Sequence, residues 1–122
     1  MSKKCLIVDD VEVSRYVISE LMEEFGFACK TAADMKEAMA TLDQERFDVI
    51  LLDWHLRKVS GLEMVPSIRS HVNGGSVPVI VCTGVETDKE LADIEQSGVQ
   101  ALVKKPTSRE NLQQELTRLH LL

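Results

Sequence analysis

Asp9 and Asp10 follow the apolar run Cys5-Leu6-Ile7-Val8, and Asp53 follows Val49-Ile50-Leu51-Leu52. Thr83 follows Val79-Ile80-Val81-Cys82, and Lys104 with Lys105 follow Ala101-Leu102-Val103. Each polar group stands where an apolar stretch stops. Singly, each has a plain explanation: acids end strands because the loop is wet, threonine suits strands, and lysine before proline is common. Jointly they equip one place for phosphoryl transfer. Carboxylates packed within a few ångströms repel one another unless a cation sits among them. A hard divalent ion with oxygen ligands answers that need, and Mg²⁺ accepts a site of few carboxylates completed by water. The cation and an ammonium would neutralise the transferring oxygens while one carboxylate attacks in line.

The elements that must position these residues alternate along the chain. The apolar run ending at Val8 reads as a strand. Val13, Val17 and Leu21 recur every four residues beside Ile18, Met22 and Phe25, which predicts an amphipathic helix ended by Gly26. Phe27 to Ala32 reads as a second strand. Asp34 with Glu37 three residues later predicts a capped helix whose inner face carries Met35, Ala38, Met39 and Leu42. Val49 to Leu52 is a third strand, followed by a loop from Trp54 to Ser60 closed by Gly61. Leu62, Val65, Ile68 and Val72 predict a third helix, with Pro66 expected within its first turn. After the turn Asn73-Gly74-Gly75-Ser76, Val77 to Cys82 is a fourth strand. Thr87 to Gln96 is a weaker helix carrying Leu91 and Ile94, Ala101 to Val103 a fifth strand, and Ser108 caps a last helix with Leu112, Leu116 and Leu119.

Strands apolar throughout are what a sheet covered on both faces requires. Crossover helices make that sheet parallel, and right-handed crossovers place helices on both sides. The expected fold is α/β, a three-layer doubly wound (βα)5 arrangement spanning residues 1–122 as a single domain. Ligands of such sheets bind beyond the carboxyl ends of the strands, where Asp9, Asp10, Asp53, Thr83, Lys104 and Lys105 fall.

Composition narrows the partners. Fourteen Lys and Arg against twenty Asp and Glu give a net charge of −6, which argues against DNA or an anionic membrane, since both need a cationic face. No apolar run reaches the ~18 residues of a membrane span, and the start has too short an apolar core for a signal peptide. A cytoplasmic place is expected. Cys5, Cys29 and Cys82 lie far apart in sequence, without a CxxC pair, and read as buried free thiols.

The set Asp9-Asp10, Asp53, Thr83-Gly84 and Lys105-Pro106, one after each of strands 1, 3, 4 and 5, resembles the receiver domain of two-component response regulators, CheY-like, from Lys4 to about Leu119. The resemblance implies a flavodoxin-like sheet of order 2-1-3-4-5 and phosphorylation of Asp53 from a phosphohistidine donor, a sensor histidine kinase or a histidine phosphotransfer protein. It implies Mg²⁺ held by Asp10, Asp53 and the backbone carbonyl of His55, with Asp9 helping largely through water. Lys105 would pair with the phosphoryl group across a cis bond to Pro106, and Thr83 would move toward it. Lys104 would be a solvated neighbour. The chain would catalyse only its own phosphorylation and dephosphorylation, and would not be an enzyme for external substrates. Its signal would leave through the fourth helix, fifth strand and fifth helix.

Two positions depart from the family pattern. Leu102 stands where an aromatic residue commonly swings inward with the threonine, and Arg57, followed by Lys58, replaces the usual loop proline. His55 and Val85, two residues past the acceptor and the threonine, fall where the family tunes phosphoryl lifetime. If the chain ends at Leu122, its output is the binding of another protein, whose identity stays open, as do monomer and weak dimer. A switch or phosphorelay intermediate is the first reading. A degenerate receiver that docks a protein or nucleotide without phosphate, and a receiver cut from a longer hybrid kinase, are the alternatives.

Overall fold

The computed structural model describes residues 3–84 and 87–122. Val85 therefore lies outside the described residues. The elements are β1 (Lys3–Val8), α1 (Glu12–Glu24), β2 (Phe27–Ala32), α2 (Met35–Gln44), β3 (Val49–Asp53), α3 (Gly61–Ser70), β4 (Val79–Thr83), α4 (Asp88–Gln96), β5 (Ala101–Lys104) and α5 (Arg109–Arg118). All strand pairs are parallel, and the sheet order is β2-β1-β3-β4-β5. That is the flavodoxin-like order. Among the described residues no helix is long and apolar enough to cross a membrane.

Successive residues of a strand face opposite sides of the sheet, and this explains the unbroken apolar runs. Leu6, Val8, Ile50, Leu52, Val79 and Val81 pack with Ala38, Leu42, Met64, Ile68 and Ile94 of α2, α3 and α4. Their neighbours Cys5, Ile7, Val49, Leu51, Ile80 and Cys82 pack with Ile18 and Met22 of α1 and Leu112 and Leu116 of α5. Two cores thus sandwich one sheet, and each fully buried aliphatic side chain contributes about 2 kcal/mol. Side-chain caps start three helices: Asp34 accepts from the Glu37 N–H at 2.8 Å, Thr87 from Glu90 at 3.2 Å and Ser108 from Asn111 at 3.1 Å.

Several sequence expectations are corrected. In α1 the buried residues are Ile18 and Met22, while Val13 and Val17 are exposed. The two four-residue stripes overlap, and the sheet takes the second. In α3 the buried side chains are Met64, Val65 and Ile68, and Leu62 and Val72 are exposed. Pro66 is the sixth residue of α3 and not in its first turn. It lies on the exposed side, where water can serve the Leu62 carbonyl that its missing N–H leaves without a helical partner. The three cysteines are free thiols as expected, but only Cys5 and Cys82 are buried; Cys29 is partly exposed, and it is the register partner of Cys5 across β1 and β2.

Candidate functional site

The carboxyl ends of β1, β3, β4 and β5 bring the expected residues to one edge. Asp9 follows β1 directly, and Asp53 and Thr83 are the last residues of β3 and β4. All three are almost fully buried, at 1%, 8% and 1% exposure. Buried polar side chains need partners, and both aspartates first bond the turn that follows them. Asp9 Oδ1 accepts from the Val11 N–H at 2.9 Å, and Asp53 Oδ1 from the His55 N–H at 3.1 Å. A carboxylate bonding the N–H two residues on is a local turn that aspartate forms readily. The second oxygen of each turns to Lys105, whose Nζ lies 2.9 Å from Asp9 Oδ2 and 3.4 Å from Asp53 Oδ2. Asp10, half-buried, completes the group. One oxygen from each of Asp9, Asp10 and Asp53 lies within 4.8 Å of the others.

Two buried acids share the Lys105 ammonium, and among the described ion pairs Asp10 beside them meets only the exposed Arg57 side chain at 3.7 Å, which leaves the site electrostatically unfinished. Burial pushes the Asp53 carboxyl above its usual value. The His55 N–H and the Lys105 charge pull it back, and the Asp9 charge adds to the rise. Burial also opposes the Lys105 ammonium, but the Asp9 and Asp53 carboxylates outweigh it and hold the lysine above its usual value. The arrangement fits a divalent cation, since converging carboxylate oxygens are the donors that Mg²⁺ takes.

Other placements follow the chain. The Lys105 N–H donates to the Thr83 carbonyl at 2.9 Å, tying the ends of β4 and β5, and the Lys105–Pro106 peptide is cis. Lys104 is exposed and Leu102 half-buried against the α2–α4 core. Five further contacts lie beyond the strand-end pattern. The Ser14 hydroxyl donates to Asp9 Oδ2, and the Arg15 guanidinium to the Asp9 carbonyl at 2.8 Å. Arg57 donates its backbone N–H to Asp10 Oδ2 at 3.0 Å, with its Nε 3.7 Å from the same oxygen. His55 Nε2 lies 3.5 Å from Glu90 Oε2, linking the loop after β3 to α4. The sequence signal for Ser14 and Arg15 is their place in the first turns of a helix that starts just after the acids. Arg57 and Glu90 carry no such signal.

Residues 5–117 match the family described as the response regulator receiver domain. The chain belongs to that family. This receiver domain is 26% identical over 117 residues to chemotaxis protein CheY-3 of Vibrio cholerae, a match covering 95% of this chain and 90% of the relative. It is also 26% identical to chemotaxis protein CheY of Pseudomonas aeruginosa, with 95% and 94% covered. Among solved structures it resembles chemotaxis protein CheY4 of Vibrio cholerae with a TM-score of 0.89 and 29% identity, covering 97% of this chain and 98% of that one. A second similar structure is the receiver domain of a sensor histidine kinase from Pseudomonas aeruginosa, TM-score 0.86, 29% identical, with 97% of each chain covered. That protein has a magnesium ion coordinated in its active-site cleft.

Proposed function

We propose that this receiver domain is a phosphorylation-dependent switch or phosphorelay intermediate of two-component signalling that takes a phosphoryl group onto Asp53. The donor in this reading is a phosphohistidine on a sensor histidine kinase or a histidine phosphotransfer protein. The observation that carries it is the Lys105 ammonium held between the Asp9 and Asp53 carboxylates, with Asp10 alongside.

An Asp53 carboxylate oxygen attacks the phosphorus in line, the bond from phosphorus to the histidine nitrogen breaks, and a mixed anhydride forms. Asp9, Asp10, Asp53 and the His55 carbonyl would hold Mg²⁺, which when bound supplies positive charge to the transferring oxygens. Lys105, just past the end of β5, adds a second positive charge at the same edge of the sheet. Its ammonium can exchange the Asp53 oxygen for a phosphoryl oxygen without leaving Asp9. The aspartyl phosphate brings up to about two negative charges to this edge. Thr83 and Lys105 favour the conformation that answers them, shifting the population of the α4-β5-α5 surface. Leu102 takes the place of the usual aromatic residue on that surface, half-buried against the α2–α4 core, and in this reading the usual threonine–aromatic coupling is weakened. His55 overhangs the acceptor as a lifetime-tuning position.

A second reading, a docking module independent of phosphate, is favoured by the two Arg57 contacts to Asp10, which give that acid a cation from within the chain. Incubation with Mg²⁺ and acetyl phosphate, read by intact mass, separates the two. Gain of one phosphoryl group, lost in Asp53→Asn, is expected. A chain that never gains mass, or a variant that still does, would overturn the first reading.

A further inference from the structure

Cys5 and Cys29 stand directly opposite each other in the β1–β2 pair, and both join the core on the α1 and α5 side of the sheet. Neighbouring parallel strands run about 4.8 Å apart, inside the roughly 4.4–6.8 Å between Cα atoms that a disulfide spans. Both cysteines are free thiols, and the Cys29 thiol otherwise faces the Ser19 and Phe27 carbonyls, each 3.9 Å from its Sγ.

Their surroundings differ in the way an attacking and a resolving thiol should. Cys29 is partly exposed and lies on β2, an edge strand of the sheet. Cys5 is fully buried beneath α1. The neighbouring Cys5 thiol holds the Cys29 thiol below its usual value, whereas burial, and then Cys29 itself, push Cys5 up. Cys82 shares the same face, but β3 separates its strand from β1, and burial pushes it up to about 12. Buried cysteines are ordinarily inert small hydrophobes, and that description suits Cys82. It does not suit Cys29, which solvent reaches and which has a second sulfur beside it.

We propose that Cys29 and Cys5 form a peroxide-responsive modification site, with Cys29 the thiol that attacks the peroxide and Cys5 the resolving one. The Cys29 sulfur attacks one oxygen of a hydroperoxide and the O–O bond breaks. The leaving oxygen takes the thiol proton, so sulfur is oxidised to the sulfenic acid and the peroxide is reduced to an alcohol or water. The Cys5 sulfur then attacks the Cys29 sulfur, the S–O bond breaks, and water departs with the Cys5 proton as the disulfide forms. None of these atoms belongs to the phosphoryl site, so the two chemistries can be tested separately.

The test treats the full chain with hydrogen peroxide, alkylates remaining thiols, and reads intact mass and a non-reducing peptide map. The expected product has lost two hydrogens, joins the Cys5 and Cys29 peptides, leaves Cys82 alkylated only after unfolding, and is restored by dithiothreitol. Cys29→Ser is expected to form no cross-link, and Cys5→Ala to accumulate a dimedone-reactive sulfenic acid at Cys29. If Cys5→Ala does not fold, the wild-type map and Cys29→Ser decide alone. A chain that keeps both hydrogens under conditions that oxidise free cysteine, or a cross-link through Cys82 or between two chains, would overturn the proposal.

Discussion

Lys105 is the one cation within 4 Å of the Asp9 and Asp53 carboxylate oxygens among the described ion pairs, so removing it leaves a nearly inaccessible carboxylate without its counter-charge. Breaking such a pair costs about 3 kcal/mol. Lys105→Ala is therefore expected to lower the unfolding free energy by roughly that amount in chelator, read as a lower urea midpoint. Adding Mg²⁺ should restore part of the loss, because a divalent ion supplies the missing charge to the same oxygens. A midpoint unmoved by the substitution would show that Asp9 is satisfied by Val11 and Ser14 alone. The sign of the pH dependence follows from the raised lysine value. Its contribution is complete below the unfolded value of 10.5 and is lost as pH rises through the higher folded one. His55 supports a kinetic prediction at the same scale. Its ring reaches Glu90 on α4 from the loop after Asp53, so His55→Ala is expected to change the rate at which phosphorylated protein loses its phosphoryl group. Equal decay curves would remove that ring from the chemistry.

The loop between β3 and α3 is shaped by a close approach that only glycine permits. A Cβ on Gly61 would fall inside the Trp54 indole, which is buried against the α2–α4 core, and the Gly61 N–H donates to the Trp54 carbonyl at 2.9 Å. Forcing a methyl group into such a contact costs about 2 kcal/mol. Gly61→Ala should lower the urea midpoint accordingly and shift the emission of the sole tryptophan, which follows Asp53 directly. Gly75→Ala, where the new atom meets only the Arg69 carbonyl at 3.9 Å, should do neither. Gly61 was legible in sequence as the end of a loop, but its reason was not, because nothing local says that Trp54 turns inward. The same distinction runs through the fold. Strands were legible because burial on both faces leaves unbroken apolar runs with a polar residue at the end, and this also exposed Asp9, Asp10, Asp53, Thr83 and Lys105. Helix faces were less legible. Val13-Val17-Leu21 and Ile18-Met22-Phe25 are equally good stripes, and only packing on β1 and β2 chooses between them. Contacts such as Arg57 to Asp10, and neighbours such as Cys5 and Cys29, depend on register and loop path, which no short spacing encodes.

Across the whole molecule, the acidic site at the strand ends is held at a cost to stability, and the direction of the Asp53 shift says where that cost appears. Burial makes the folded chain prefer the neutral carboxyl, so its folded pKa lies above the unfolded value of 3.8. The penalty is then fully present above the folded value and fades as pH falls through it. Asp53→Asn keeps the size of the side chain and removes the charge. In chelator at pH 7 the variant is expected to have the higher urea midpoint, with an advantage that shrinks as the pH is lowered toward the unfolded value. Mg²⁺ should act in the opposite sense. Ligand at a hundred times its dissociation constant stabilises the state that binds it by about 2.7 kcal/mol, and the variant has lost one of the three carboxylates that converge there. Wild type should therefore gain most from the ion and narrow or reverse the gap. A wild type already more stable than Asp53→Asn in chelator at pH 7 would mean that Lys105 and the His55 N–H more than offset the burial of this carboxylate, leaving no electrostatic strain for the cation to relieve.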